Sequence, residues 1–177
     1  QSYPAIANRM LGPDHREKLI KRADQGKYFW ELRSCAYWNE FDQPRIMYPD
    51  IYEHQSFCFV EQEIYSTNTT YFIRTDEKWL CALLNSSLIE HIYGLLANRI
   101  RGGYLRAFTD RMELIPIPPA TEPQKQELSD LAQQCAAATA AGDTTQLQTL
   151  ESRIDEIVCG LFSVRIGEFH PFEGGSK

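Results

Sequence analysis

The chain has 177 residues, of which 43% are hydrophobic and 24% charged, and these proportions exclude a disordered or fibrous protein. A chain of this length forms one domain or slightly more, with a substantial core. Its formal net charge of −6 excludes the strongly basic balance that is typical of a free-standing nucleic-acid-binding domain.

Membrane insertion and secretion are also disfavoured. No apolar run approaches the roughly 20 residues that a spanning helix needs, and the N-terminus lacks a signal-peptide pattern. We therefore expect a cytoplasmic protein without a membrane partner. The five cysteines are widely spaced and include no Cys-x-x-Cys pair. We expect neither a disulfide framework nor a metal site, and we interpret the cysteines as small buried hydrophobic residues.

The N-terminal region predicts helix. Residues 4–25 have a helical pattern that Gly12-Pro13 interrupts, and Asp14 is the expected cap of the second segment. The aromatic segment 27–38 fits a helix or a strand by periodicity. We expect its largest aromatic side chains to lie in the core rather than on a platform for base stacking: Trp30, Tyr37 and Trp38.

The middle of the chain predicts a sheet and an apolar helix. Runs rich in β-branched and aromatic residues predict strands at 45–48, 56–60, 70–74, 104–108 and 112–117. One helix is expected from Asp76 to Leu96, with a core face of Trp79, Leu80, Leu83, Leu84, Leu88, Ile92, Leu95 and Leu96. The fold class is therefore α+β, with a small, twisted, mostly antiparallel sheet packed by helices.

A proline-rich segment that ends at Pro119 predicts a domain boundary, because proline cannot continue a strand ladder. The predicted domains are 1–119 and 120–177. In the second, Thr121 with Gln124 resembles a capping box, and Gly142 separates two helical patterns, so a C-terminal helical hairpin is expected. Lys and Arg number 14 against 15 Asp and Glu before Pro118, and 4 against 9 after it. The acidity therefore belongs mostly to the hairpin.

A basic, glycine-containing segment lies between the predicted helix and the proline exit. Four arginines fall within 13 residues, with aromatic residues between them: Arg99, Arg101, Arg106 and Arg111. The planar guanidinium fork matches phosphate oxygens and the O6/N7 edge of guanine. Gly102 and Gly103 permit a close approach of the backbone to a ligand. The alternative is a solvated hairpin turn whose arginines pair with neighbouring carboxylates.

Catalytic motifs are missing from the sequence. The Asn/Asp-Pro-Pro-Tyr/Phe motif of adenine methyltransferases does not occur, nor does a glycine-rich cofactor turn, a phosphate loop or a zinc helix. A nuclease signature is approached by Pro49-Asp50 and Glu61-Gln62-Glu63, but Glu63 stands where the lysine is needed. A small hydrolase that uses Asp50 with Glu61 or Glu63 is a weaker alternative.

The order of several motifs is more specific than any one of them. The series is Tyr3-Pro-Ala-Ile-Ala-Asn8, Lys18-Leu-Ile-Lys-Arg22, Gly26-Lys-Tyr-Phe-Trp-Glu-Leu-Arg33, Pro44-Arg-Ile-Met-Tyr-Pro-Asp50, Leu83-Leu-Asn-Ser-Ser-Leu88, Arg101-Gly-Gly-Tyr-Leu-Arg106 and Ile115-Pro-Ile-Pro118. Over residues 3–120 the chain resembles the C-terminal specificity domain of the TaqI-like adenine DNA methyltransferases, which include enzymes fused to type II restriction nucleases.

The resemblance implies a non-catalytic domain that recognises double-stranded DNA in bacterial restriction-modification. It also implies a covalently linked N-terminal methyltransferase part, which would hold S-adenosylmethionine, and Mg²⁺ if a nuclease is fused; this chain itself would hold no cofactor. The expected DNA-binding residues are Arg99, Arg101, Gly102, Gly103, Tyr104, Arg106 and Arg111, followed by Lys27, Arg33 and Arg74. The rival hypothesis is a protein-interaction module that uses the acidic helical hairpin.

Overall fold

The computed structural model describes residues 3–97, 100 and 103–165. Within it the chain divides into two compact units, Gln1–Asn39 and Glu40–Lys177. The larger unit contains the sheets and the C-terminal helices, and it therefore includes both sides of the predicted boundary at Pro119. The division of the chain at Pro119 stays a prediction.

The first unit begins with helices α1 (Pro4–Leu11) and α2 (Pro13–Ile20). Each starts with proline, which is suited to the first helical position because the missing N–H has no partner there. The break at Gly12 confirms the predicted interruption, but the capping prediction was wrong. Asp14 lies inside the first turn of α2, and Gly12 occupies the cap position without a side-chain bond.

The aromatic residues of segment 27–38 are more exposed than the sequence suggested. Trp30, Tyr37 and Trp38 are 40%, 57% and 56% exposed, so the prediction that they form core was wrong. The rings of Tyr28 and Trp30 stack on each other at 4.9 Å. Neither α1 nor α2 contributes a buried residue, so these two helices supply no core against which the aromatic side chains are buried.

The second unit contains two antiparallel sheets. Strands β1 (Arg45–Pro49), β3 (Cys58–Val60) and β4 (Thr70–Arg74) form the larger sheet, with β1 in the centre. This arrangement confirms the three strands predicted there. A smaller ribbon pairs β2 (Ile51–Tyr52) with β5 (Leu105–Arg106). The strand expected at 104–108 is therefore present but short.

Arg45 organises the loops around the larger sheet. Its side chain is 0% exposed and lies over the ring of Phe41, with 5.7 Å from Cζ to the ring centroid. The guanidinium donates to four backbone carbonyls, at 2.7, 2.9, 3.2 and 2.6 Å from those of Phe41, Gln43, Gln62 and Ile64. A buried charge needs such partners. Arg45 therefore joins the segment before β1 to the segment after β3.

The predicted single helix from Asp76 to Leu96 is two helices, α3 (Lys78–Leu84) and α4 (Ser87–Leu96), bent by 67°. Asn85 produces the break because its side chain forms two hydrogen bonds with the backbone of Phe57, donating at 2.8 Å and accepting at 2.9 Å. Ser86 then caps α4. Asn and Ser compete for backbone groups in this way, and they favour helix ends.

The core face of these helices matches most of the prediction. Trp79, Leu83, Leu84 and Leu88 are buried, and Leu80 and Ile92 pack against the core, whereas Leu95 is 69% exposed. Because of the bend, the buried face of α4 does not continue the helical spacing of α3, on which the prediction for Leu95 depended. Among the described residues, no single helix is long and apolar enough to cross a membrane, and α3 and α4 satisfy that criterion only as a bent pair.

The C-terminal hairpin is confirmed, with helices α6 (Glu122–Ala141) and α7 (Thr144–Leu161). The Gln124 side chain accepts from the Thr121 amide at 2.9 Å, and Gly142 ends α6 at a φ of 71°. The hairpin packs on the rest of the unit, mainly through α6 against α3. Asp155 of α7 also accepts from the amide and the hydroxyl of Ser87, at 2.8 and 2.7 Å.

Two further predictions need correction. Residues 112–117 form no strand; a short helix α5 (Thr109–Met112) precedes an irregular segment instead. Met112 and Ile115 are buried at a helix-like spacing of three residues, and the prolines beyond them cannot donate to a ladder. Of the cysteines, Cys81 and Cys159 are buried as expected, whereas Cys58 is exposed and Cys35 and Cys135 are intermediate.

Candidate nucleic-acid interface

The ribbon of β2 and β5 has one inner and one outer face. Tyr52 and Leu105 are paired across the strands and lie in the core, whereas Ile51 and Arg106 are paired on the other face. Tyr104, which directly precedes β5, is 41% exposed. The outer face therefore combines one arginine with exposed apolar and aromatic side chains.

The inner face fixes the position of the ribbon. The hydroxyl of Tyr93, which is fully buried on α4, donates to the carbonyl of Arg106 at 2.7 Å. Burial raises the pKa of Tyr93 to about 12, so this hydroxyl keeps its proton and remains a donor at neutral pH. The amide of Ala107 donates to the carbonyl of Asp50 at 2.8 Å and extends the pairing by one residue. Hydrogen bonds to Tyr93 and to Asp50 therefore fix the peptide backbone at Arg106 and Ala107.

The turn that precedes β5 is partly described. The amide of Ile100 donates to the carbonyl of Tyr104 at 2.9 Å, and the amide of Gly103 donates to that of Ile100 at 3.1 Å. Gly103 has a φ of 85°, which favours glycine. A Cβ at this position would meet nothing within 4 Å, so the glycine serves the backbone rather than core packing. Three predicted site residues, Arg99, Arg101 and Gly102, lie outside the described residues.

Arg106 is the best-defined cation of this surface. Its Nε and Nη2 atoms donate to the two carboxylate oxygens of Asp50 at 3.3 and 2.7 Å. The guanidinium also lies over the ring of Phe108, with 4.5 Å from Cζ to the ring centroid. The Arg106 side chain remains 32% exposed and that of Asp50 16%. The Asp50 carboxylate and the Phe108 ring therefore restrain an arginine side chain that stays partly exposed.

The other predicted site residues that the structure describes lie on other elements. Arg111 lies on α5 and pairs with Asp110 at 3.6 Å. Arg74 lies on β4, away from the ribbon pairing, and contacts Glu40 at 3.0 Å. Lys27 and Arg33 belong to the first unit, where Lys27 lies over the ring of Tyr28. Within the second unit, Arg74, Arg106 and Arg111 each have a separate carboxylate partner.

Sequence reasoning missed the role of Asp50 and Phe108 beside Arg106. The sequence suggested Asp50 as a hydrolase residue and as the end of a family motif, whereas in the structure it directly follows β1 and binds Arg106. The carboxylates of that hydrolase hypothesis have separate partners: Asp50 binds Arg106, Glu61 pairs with Lys78 at 3.1 Å, and Glu63 accepts from Tyr65. Within residues 3–97, 100 and 103–165, no group of three or more His, Cys, Asp or Glu side chains is arranged to hold a metal ion.

This arrangement is suited to binding rather than to bond cleavage. An arginine with a free edge can donate two parallel hydrogen bonds to a pair of acceptor atoms. Exposed aromatic and aliphatic side chains beside it can contact an apolar ligand surface. A two-stranded ribbon is also narrow enough to enter the major groove of DNA, which is about 12 Å wide.

Comparison with known proteins places the chain in a family. The family of the TaqI-like C-terminal specificity domain matches residues 14–117. No curated protein gives a significant match. A solved structure of the type IIL restriction-modification enzyme MmeI in complex with DNA has a similar fold, with a TM-score of 0.59 and 16% identity over 81% of this chain. The chain spans 20% of that protein. Because the family match covers more than half of its residues, the chain belongs to the TaqI-like C-terminal specificity domain family.

Proposed function

We propose that this chain recognises specific sequences in double-stranded DNA, and that it is the specificity domain of a restriction-modification adenine DNA methyltransferase. The observation that carries the proposal is the outer face of the β2–β5 ribbon, where a well-oriented Arg106 stands beside the exposed side chains of Ile51 and Phe108. Such a surface offers both hydrogen bonds to base edges and apolar contacts to thymine methyl groups. Membership of a specificity-domain family supports the same function.

In this proposal the chemistry belongs to a covalently linked N-terminal part of a longer polypeptide. That part binds S-adenosylmethionine and methylates an adenine that it flips out of the duplex, with Mg²⁺ required if a nuclease is also fused. The role of this chain is to hold the duplex in register. Access to chromosomal or invading DNA requires a cytoplasmic location. The net charge of −6 implies that the linked part contributes much of the phosphate binding.

Duplex binding by the longer polypeptide tests the proposal. We expect the logarithm of the binding constant to fall linearly with the logarithm of salt, with a slope near −0.9 per phosphate contacted. Combined Arg101→Ala and Arg106→Ala changes should weaken binding to the preferred duplex. Arg153→Ala is the control. Arg153 is an exposed arginine of the C-terminal hairpin, lies far from Arg106 in the sequence, and pairs with Glu127 and Glu156.

Two results would contradict the proposal. One is a wild-type protein that shows no preference among duplex sequences. The other is a double arginine variant that binds the preferred duplex as tightly as wild type. If the hairpin is a protein-interaction surface instead, Arg153→Ala is expected to alter partner binding while both arginine changes at the ribbon leave it unaffected.

A further inference from the structure

A carboxylate next to a DNA-facing arginine needs an explanation. Asp50 is 16% exposed and would stand close to any bound duplex, where its negative charge opposes phosphate binding. The Asp50–Arg106 pair is formally neutral, so it contributes little long-range attraction to the backbone. A surface built only for phosphate binding would not include this acid. What the pair contributes to binding therefore depends on its geometry rather than on its net charge.

The hydrogen-bond pattern determines which part of Arg106 is available. A guanidinium has five N–H groups in a planar fork. The edge formed by Nε and Nη2 donates to the Oδ1 and Oδ2 atoms of Asp50, at 3.3 and 2.7 Å. No described residue accepts from Nη1, so within the described part of the chain the edge formed by Nη1 and Nη2 keeps two parallel N–H groups. The ring of Phe108, 4.5 Å from Cζ, restrains the plane of the fork.

We infer that Asp50 is a positioning residue for sequence readout: it orients Arg106 so that the Nη1/Nη2 edge donates two hydrogen bonds to O6 and N7 of a guanine in the major groove. This inference rests on the proposed function. The restraint reduces the rotamer entropy that a free arginine would lose on binding. It also favours a directional contact with one base over a mobile contact with any phosphate.

The inference predicts opposite effects of one substitution on two kinds of DNA. Asp50→Asn removes a negative charge that repels phosphates but releases the fork. Binding to a duplex of scrambled sequence should be unchanged or tighter. Binding to the preferred duplex should weaken, so that the ratio of the two constants falls by about 5- to 150-fold, the range for one bidentate base contact. A purely structural ion pair would change both constants together.

The experiment uses the longer polypeptide and the duplex that it selects from a random pool. The binding constants of the selected and scrambled duplexes are measured for wild type, Asp50→Asn, Asp50→Glu and Glu127→Gln. Asp50→Glu should restore part of the ratio, because it keeps a carboxylate. Glu127→Gln is the matched control, since Glu127 accepts from Arg153 at 2.6 Å on the hairpin. Its ratio should equal that of wild type.

Base and phosphate contacts are separated by replacing guanines of the selected duplex one at a time with 7-deazaguanine, which lacks the N7 acceptor. One replacement should weaken wild-type binding and have no effect on Arg106→Ala. If no replacement weakens wild-type binding and Arg106→Ala instead lowers the salt slope by about 0.9, Arg106 contacts a phosphate and the inference is wrong.

The proposal remains testable if Asp50→Asn does not fold. Arg106→Lys keeps the positive charge but loses the fork, and it should reduce the binding ratio as Asp50→Asn would. A wild-type ratio in a folded Asp50→Asn or Arg106→Lys variant overturns the inference. A protein that selects no preferred duplex contradicts the proposed function itself, which is a different result.

Discussion

Arg45→Met tests whether one buried arginine holds the loops of the second unit. The substitution keeps an unbranched side chain but removes the donor groups of a guanidinium that is 0% exposed. Four backbone carbonyls lose their partners, at distances that now range from 2.6 to 3.2 Å. These carbonyls flank β1 and β3, so the change should loosen both neighbouring loops.

The expected effect follows from the number of acceptors and their burial. A buried acceptor left without a partner costs about 1–3 kcal/mol. Only the bond to the carbonyl of Phe41 is fully buried, and water can reach the other three when the loops relax. The removed guanidinium also no longer requires desolvation, which offsets part of the loss. We expect the free energy of unfolding to fall by about 3–5 kcal/mol.

Urea denaturation followed by circular dichroism measures this change. Arg74→Met is the matched control, because Arg74 lies directly opposite Arg45 on the adjacent strand but is 64% exposed and paired with Glu40. An exposed ion pair of this kind is worth less than about 1 kcal/mol. If Arg45→Met lowers the free energy of unfolding by no more than Arg74→Met does, the four carbonyl bonds do not stabilise the loops.

Two other predictions concern the packing of the helices. Asp155→Ala should lower the free energy of unfolding by about 1–3 kcal/mol, because the amide and hydroxyl of Ser87 lose their acceptor. Asp130→Ala, on the exposed side of α6, is the control and should change it by less than about 0.5 kcal/mol. Equal urea midpoints for the two variants would contradict this prediction. Burial raises the pKa of the Cys81 thiol from its ordinary value of 9.0 to about 12, so its stabilising contribution is complete below pH 9 and is lost as pH rises toward 12. Cys81→Ala should therefore reduce the loss of stability between pH 9 and 12 in urea titrations, and an unchanged pH profile would show that the thiol does not contribute.

Features that depend on local chemistry could be predicted from the sequence. Thr121 with Gln124 and Gly142 mark the ends of α6 through short-range backbone bonds, and both were identified correctly. The three strands of the larger sheet followed from their β-branched and aromatic composition. The family resemblance also came from the sequence, because it rests on the order of motifs, and the family match over residues 14–117 confirms it.

Features that depend on partners distant in the chain could not be predicted. The helix break at Asn85 requires the backbone of Phe57, 28 residues away, and simple periodicity continues through this position. Trp30 and Trp38 were expected in the core because they are hydrophobic, yet their rings are exposed. Hydrophobicity does not say which elements will cover a side chain.

The candidate site also has features that the sequence predicts and features that depend on the fold. The sequence shows that arginines and glycines are concentrated between residues 99 and 111, and that the net negative charge lies mainly beyond them. The orientation of Arg106 follows only from the fold, because Asp50 and Arg106 are 56 residues apart and meet through the pairing of β2 with β5. Charge content is a property of composition, whereas the direction of a hydrogen bond depends on the three-dimensional positions of both partners.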